Sequence, residues 1–341
     1  MTRLIKSHSG FQKLRTILVG DVYPPSFVQA ISKRYHEIFL QLHDITKHDL
    51  DNFVKILQSL GIKVFRPDFQ SLDLYLDEHD NLIKPPITPR DWAMTLGDTL
   101  YVTPQYLDSF TSIENTINEF VSYGQKVRVL DRSIDLMPWI TFPSVVRVGR
   151  DLFVDIMDQT IVEKVMPVLI EFSKIYRVHL SRTGDHSDGV FCPILPGHIM
   201  STHYRTQYEN TFPGWQVHWL EDTTKNRLFN GYNGKWWLPG FDYAHFNDQI
   251  FDFANTWIGN SRETVYEVNM LIVDEKNILI IAENDSACRH LESLGFKVHV
   301  VEFISRGFWD GGLHCLTTDL YREGALEDYW PNRGDPGIYN E

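Results

Sequence analysis

A run of alternating β-branched and polar residues recurs along the chain, each time after the end of a helix-like segment. The five copies lie at residues 59–67, 122–130, 173–180, 212–220 and 293–301. Four of them carry a glycine where the C-cap of a helix favours a left-handed residue. Each copy therefore predicts the end of a helix followed by a strand.

A second apolar strand pattern precedes each copy. These runs lie at residues 15–20, 98–103, 151–155, 197–202 and 277–282. The chain thus consists of five modules of the order strand, helix, cap, strand. Repeated units that bury their apolar faces against neighbours predict a closed ring or a solenoid. An ordinary doubly wound α/β sheet is the alternative, and periodicity alone does not separate the two.

The modules favour one α/β domain that covers residues 1–341. Their spacing is irregular, so insertions separate some of them. The largest, around residues 221–257, is rich in aromatic residues and glycine. We expect this segment to form a lid or a rim rather than a domain.

Composition and charge narrow the class of protein. The chain has 341 residues, 43% of them hydrophobic, with 32 basic and 45 acidic residues, which gives a net charge of −13. The basic residues are scattered singly, so nucleic acid is not an expected partner. Neither a membrane span nor the apolar core of a secretory signal is evident, which favours a cytoplasmic protein. Three cysteines are too few for a disulfide framework and fit a reducing compartment.

One of these cysteines is a candidate nucleophile. Cys315 lies in the segment 310–319, DGGLHCLTTD, where two glycines let the backbone approach a ligand closely. A thiol on such a turn can be exposed and activated by nearby donors. We expect Cys192 and Cys288 to be buried, unreactive thiols instead.

Candidate acid–base and binding groups lie in two further segments. His186 and Asp188 follow a predicted strand, and their spacing in an extended stretch puts both side chains on one side. Asp91 ends a proline-rich loop at residues 85–91. A thiol, a histidine and two separated aspartates suggest attack on the carbon of a guanidinium that carboxylates hold in fork geometry. A surface turn remains the alternative for His186 and Asp188.

At these positions the sequence resembles the guanidino-group-modifying superfamily, in particular the arginine:glycine amidinotransferases. The matching segments are 88–91, 147–151, 186–188, Arg205, 269–276 and 311–329, in the same order along the chain. The resemblance implies a five-module pseudo-symmetric α/β propeller.

The resemblance also implies roles for single residues. Cys315 would become the covalent amidino-cysteine, and His186 would be the general acid and base. Asp91 and Asp188 would clamp the guanidinium, and Arg205 would meet the α-carboxylate of arginine. Asn255, with Thr256 before Trp257, would line the substrate pocket.

In one place the sequence departs from the family pattern. Amidinotransferases place an aspartate that orients the histidine shortly before the Arg-x-Gly-Arg-Asp motif, and residues 139–146 contain no acid. Either another carboxylate, such as Asp135 or Asp151, reaches His186, or the histidine works unassisted. Loss of such an acid can reduce turnover about 10⁴-fold, as in serine proteases.

The implied reaction is transfer of the amidino group of L-arginine to an amine acceptor, glycine by resemblance, which yields guanidinoacetate and ornithine. Arginine hydrolysis by the same thiol, and a propeller that only binds, are the alternatives. No cofactor is expected, because no phosphate-binding glycine loop is present. No metal is expected either, because His186, Cys192, His198 and His203 lack zinc-site spacing. A homodimer is left open.

Overall fold

A computed structural model provides the coordinates of the chain. It describes residues 3–29, 33–67, 69, 87–107, 110–130, 142–156, 159–181, 186–203, 205–220, 265–281, 285–309 and 311–340. None of the helices in these ranges combines the length and the hydropathy needed to cross a membrane.

Short strands alternate with helices along the chain. The strands are β1 (Lys13–Val19), β2 (Lys63–Phe65), β3 (Ala93–Leu96), β4 (Thr99–Val102), β5 (Lys126–Val129), β6 (Val145–Val148), β7 (Asp151–Asp155), β8 (Arg177–Ser181), β9 (Phe191–Leu195), β10 (His198–Ser201), β11 (Gln216–Trp219), β12 (Leu271–Ile272), β13 (Asn277–Ile280), β14 (Lys297–Val300), β15 (Thr317–Glu323) and β16 (Gly337–Asn340). The helices are α1 (Pro25–Gln29), α2 (His36–Ser59), α3 (Pro89–Trp92), α4 (Thr111–Ser122), α5 (Gln159–Phe172), α6 (Asp285–Ser293) and α7 (Arg306–Trp309).

The strands form five small sheets with one shared pattern. In each sheet a middle strand pairs antiparallel with one neighbour and parallel with the other. The triplets are β15-β1-β2, β3-β4-β5, β6-β7-β8, β9-β10-β11 and β12-β13-β14. In the third sheet β16 adds a further parallel strand beside β8. The middle and outer strands of every sheet coincide with the predicted strand pairs.

The sheets contact one another in succession around a common centre. The residues just before β1 form isolated bridges with three sheets, pairing Lys6 with Tyr321, Ser7 with Gly97 and Ser9 with Val148. The Leu14 amide donates to the Val273 carbonyl at 2.7 Å, which joins the first sheet to the fifth. The architecture is the five-module α/β propeller that the sequence predicted.

Amphipathic helices cover the sheets where a helix connects the strands. On α2, for example, Phe39, Leu42, Leu50, Phe53 and Leu57 are buried at helical spacing. Burial of such side chains stabilises the module by about 1.5–3 kcal/mol each.

The fourth module departs from the predicted order. Between β10 and β11 the described residues contain turns and no helix, so the prediction of a helix in all five modules is wrong. The cap prediction is confirmed at Gly61, Gly124 and Gly295, which follow helices and have φ from 71° to 94°. Gly214 also has positive φ, but no described helix precedes it, so the cap prediction is wrong there. The predicted insertion around 221–257 lies outside the described residues.

Candidate active site

Cys315 lies on a tight turn between α7 and β15. The Leu316 amide donates to the Gly312 carbonyl at 3.2 Å, and the thiol residue is only 3% exposed. A Cβ added at Gly312 would lie 2.5 Å from the Cβ of Asn269, and one at Gly311 would lie 3.1 Å from the Cβ of Cys315. Gly312 is thus needed for close packing of the turn against Asn269, and a side chain at Gly311 would crowd Cys315 within the turn.

Asn269 holds Cys315 at two points. The Cys315 amide donates to Oδ1 of Asn269 at 3.0 Å, and Nδ2 of Asn269 donates to the Cys315 sulfur at 3.0 Å. Sequence reasoning named Asn269 only as part of a matching segment. The two residues are 46 positions apart, so no local pattern indicates this contact.

Asp188 lies on the other side of the sulfur. Its Oδ2 is 3.5 Å from the Cys315 sulfur and accepts a hydrogen bond of 2.6 Å from Nδ1 of His314. Its Oδ1 is buried and has no hydrogen-bond partner in the part of the chain that the structure describes. His314 was missed as a site residue, although its position directly before the predicted nucleophile was a usable signal.

The surroundings of Asp188 favour its charged form. Burial opposes ionisation, but the hydrogen bond from His314 and the nearby positive charge of Arg90 hold the pKa of the Asp188 carboxyl below its ordinary value. Burial, followed by Arg90, lowers the pKa of His314. We therefore assign a carboxylate at Asp188 and a neutral imidazole at His314 with the proton on Nδ1.

His186 directly precedes a 3₁₀ turn, Ser187–Gly189. The predicted extended geometry of this segment is wrong, because the chain turns here. His186 is half-buried and lies close enough to Asp188 to influence the pKa of that carboxyl. The Ser187 hydroxyl donates to the Ser144 carbonyl at 3.3 Å. The segment that lacks the family's orienting acid thus packs against the His186 turn.

Asp91 belongs to α3, whose first turn is attached to the nucleophile segment. The amide of the preceding residue, Arg90, donates to the Cys315 carbonyl at 3.3 Å. The Asp91 carboxylate is half-buried and accepts a hydrogen bond from the Thr88 hydroxyl. The prediction brought Asp91 to this region through the resemblance alone, and the backbone contact supplies the physical link.

Arg205 lies at the edge of the fourth module. Its guanidinium is over the Tyr208 ring at 5.1 Å and the Phe191 ring at 5.9 Å, and it donates to Thr211. Phe191 also lines a cavity of about 30 Å³ that Asp188, His314 and Cys192 share. Whether Arg205 meets a substrate carboxylate stays a prediction.

Asp151 is engaged away from His186. Its buried carboxylate accepts hydrogen bonds from Arg177, His179 and Arg333, at 2.7 to 3.1 Å. The hypothesis that Asp151 replaces the missing orienting acid is therefore wrong for this conformation. Asp135, the other candidate, lies outside the described residues.

Other predicted residues also fall outside this region or are unreactive. Asn255 and Thr256 lie outside the described residues. Burial raises the pKa of Cys192 to about 12 and also raises the pKa of Cys288. Both directions fit the expectation that these thiols are unreactive. The expectation that they are buried is wrong, because both residues are half-buried.

A buried cluster of one aspartate and three arginines contacts the turn that contains Cys315. Asp319 accepts hydrogen bonds from Arg90, Arg147 and Arg322 at 2.6 to 2.9 Å, and all four residues are almost fully buried. Burial opposes ionisation, but the three guanidinium groups hold the pKa of the Asp319 carboxyl well below its ordinary value. Arg90 also donates to the His314 carbonyl at 3.4 Å, so the cluster reaches the site through one side chain.

No protein-family model matches the chain. Among curated proteins, it is similar to an inosamine-phosphate amidinotransferase of Streptomyces griseus, at 23% identity over 83% of this chain and 82% of that one. It is also similar to the L-arginine:L-lysine amidinotransferase of Pseudomonas savastanoi pv. phaseolicola, at 20% identity over 84% and 81%. A mitochondrial glycine amidinotransferase of Danio rerio is 25% identical over 54% of this chain and 39% of that one.

Solved structures share the fold over nearly the whole chain. An amidinotransferase from the saxitoxin biosynthetic pathway of Microseira wollei has a TM-score of 0.69 at 16% identity, covering 96% of this chain and 99% of that one. DDAH from Pseudomonas aeruginosa has a TM-score of 0.56 at 13% identity, covering 90% and 99%. Both likenesses establish the fold.

The named relatives and the shared fold support the guanidino-group-modifying superfamily as the class of this protein. Within that class its named sequence relatives are amidinotransferases, and they differ in the acceptor that their names give. The relatives therefore do not support the expectation that glycine is the specific acceptor.

Proposed function

We propose that this protein transfers the amidino group of L-arginine to an amine through a covalent amidino-Cys315 intermediate. One observation carries the proposal. The buried Oδ1 of Asp188 lacks a hydrogen-bond partner among the described residues, while Oδ2 of the same carboxylate is 3.5 Å from the Cys315 sulfur. An unsatisfied buried carboxylate oxygen is costly unless a ligand supplies a donor. A guanidinium N–H bound there would bring its carbon close to the sulfur.

The donor substrate would be held by charge at both ends. Asp188 and Asp91 would accept hydrogen bonds from the guanidinium, which keeps it cationic and electrophilic at carbon. Arg205 would bind the α-carboxylate of arginine, and Asn255 would line the pocket.

The transfer takes place in two steps. The Cys315 thiolate attacks the guanidinium carbon, His186 donates a proton to the departing nitrogen, and the C–N bond breaks to release ornithine. The amidino group is then bound to sulfur. An acceptor amine attacks the same carbon, His186 takes a proton from that amine, and the C–S bond breaks to restore the thiolate.

Glycine is the acceptor that we propose to test first. The resemblance at the Cys315 segment supports it, and lysine and an inosamine phosphate are the competitors that the names of the relatives suggest. The nature of the acceptor does not alter the first step, which requires only arginine and the thiol.

The test combines product analysis with mass spectrometry. The protein is incubated with arginine alone and with each acceptor, and ornithine, citrulline and amidino products are measured. With arginine alone we expect an amidino adduct on the Cys315 peptide and at most one ornithine per protein molecule. Continued release of ornithine, together with a guanidino product, should require an amine. Cys315→Ala should lose all three signals, and Cys288→Ala should keep them.

Two outcomes would contradict the proposal. Citrulline formation without an amine would identify a hydrolase. Ornithine release that persists in the Cys315→Ala variant would exclude Cys315 as the nucleophile.

A further inference from the structure

We propose that Asn269 is a further catalytic residue, which stabilises the Cys315 thiolate by donating its side-chain amide to the sulfur. The inference rests on the proposed function for the use of that thiolate. The proton lost from the thiol goes to a base, and the Asn269 amide keeps its own protons throughout.

The orientation of the Asn269 amide follows from its hydrogen bonds. The Cys315 backbone N–H can only donate, so the amide atom 3.0 Å from it must be the oxygen, Oδ1. The other amide atom, 3.0 Å from the Cys315 sulfur, is therefore the nitrogen. The N–H group thus faces the sulfur in the described structure.

A donor at the sulfur matters because the Asp188 carboxylate beside it disfavours a thiolate. Oδ2 of Asp188 lies 3.5 Å from it, and two negative charges at that distance repel each other. Cys315 is 3% exposed, so water offers the thiolate little solvation. A hydrogen bond to a charged acceptor is about twice as strong as one between neutral groups.

The donor is also held in place before any substrate binds. Asn269 is fully buried, its backbone N–H donates to the Tyr266 carbonyl at 3.1 Å, and its carbonyl accepts from the His314 amide at 3.2 Å. A Cβ on Gly312 would collide with its side chain, so the site is shaped around the asparagine. A preorganised donor of this kind needs no reorganisation when charge develops on the sulfur.

The experiment measures the rate of Cys315 alkylation by iodoacetamide across pH, read on the Cys315 peptide by mass spectrometry. Asn269→Asp keeps the shape and replaces the donor with an oxygen. We expect alkylation at neutral pH to slow at least about tenfold and the midpoint of the profile to move to higher pH. Asn118→Asp, on the exposed face of α4, adds the same charge and should match the wild type.

This readout needs no arginine, so it separates failure of the inference from failure of the proposed function. A folded Asn269→Asp variant with a wild-type profile would overturn the inference. If the variant does not fold, the inference is tested on the wild-type protein by NMR of the asparagine side-chain amides. One asparagine side-chain amide should shift as Cys315 ionises and stay unmoved in Cys315→Ser. If no asparagine side-chain amide shifts as Cys315 ionises, the inference is likewise overturned.

Discussion

The Asp188 carboxylate accepts a 2.6 Å hydrogen bond from Nδ1 of His314, the residue directly before the candidate nucleophile. The bond occupies Oδ2 and leaves Oδ1 available to a ligand. His314 therefore acts on the proposed guanidinium site by fixing the orientation of its main carboxylate.

Replacement of His314 by Phe should mainly weaken arginine binding. Without the donor, Asp188 can rotate, and we expect kcat/KM for arginine to fall roughly 10- to 100-fold, chiefly through KM. Steady-state kinetics measure the effect. His314→Asn keeps a donor near the position of Nδ1 and should retain most of the activity. Equal losses in both variants would indicate that the hydrogen bond is irrelevant.

Replacement of Asp319 by Asn should destabilise the fold. The change leaves Arg90, Arg147 and Arg322 buried without their shared anion, and removal of one partner of a buried ion pair costs about 3–5 kcal/mol. Denaturant unfolding measures the free energy change. Asp335→Asn, at an exposed position, should change it by no more than about 0.5 kcal/mol. A similar small effect in both variants would disprove the structural role of the cluster.

Stability should fall in mild acid because of three histidines at the junction of the fourth and fifth modules. The His218 ring is 3.6 Å from that of His290, and its Nε2 is 3.2 Å from Nδ1 of His198. Burial, and the charges of His290 and His198, lower the pKa of His218 from 6.5 to about 4. As the pH falls through this window, the unfolded chain binds a proton that the folded chain excludes, so unfolding becomes easier.

The control for this pH effect is a histidine on the surface. His218→Gln should flatten the decline in unfolding free energy between pH 6.5 and about 4, whereas His48→Gln, at an exposed position on α2, should leave it unchanged. Identical pH profiles of the wild type and His218→Gln would refute the assignment.

Replacement of Gly312 by Ala should disturb the contact between Asn269 and Cys315. The added Cβ would lie 2.5 to 2.9 Å from side-chain atoms of Asn269 and must displace them. We expect slower alkylation of Cys315 and a stability loss of about 1–3 kcal/mol from overpacking. At Gly10 an added Cβ meets nothing within 4 Å, so Gly10→Ala is the matched control. Equal alkylation rates in the two variants would show that the turn adapts.

The sequence predicted the middle and outer strands of each sheet but not the inner ones. The predicted strands carry β-branched runs with clear start and stop signals, whereas β12 has two residues and β3 directly precedes the turn into β4. Such short segments lack the length over which periodicity can be recognised. The helix predicted in the fourth module was wrong for a different reason. Gly214 has the positive φ typical of a helix C-cap, but here that conformation belongs to a turn.

The sequence indicated the candidate nucleophile, histidine and carboxylates of the site, but not the residues that hold them in place. Cys315 and His186 belong to motifs that are recognisable within a few positions. Asn269 and Asp319 act through contacts to residues far away in the chain, and nothing local distinguishes their roles. Their contacts depend on how the modules pack in the folded ring, which the sequence alone does not specify.

The first sheet is built from two distant parts of the chain, because β15 pairs antiparallel with β1. Cys315 lies two residues before β15, so its backbone is held by the same pairing that joins the two ends of the ring. During synthesis the ribosome must translate β1, β15 and the modules between them before this thiol can make its contacts. A nascent chain that ends before β15 therefore lacks the setting in which Asn269 and Asp188 contact the Cys315 sulfur.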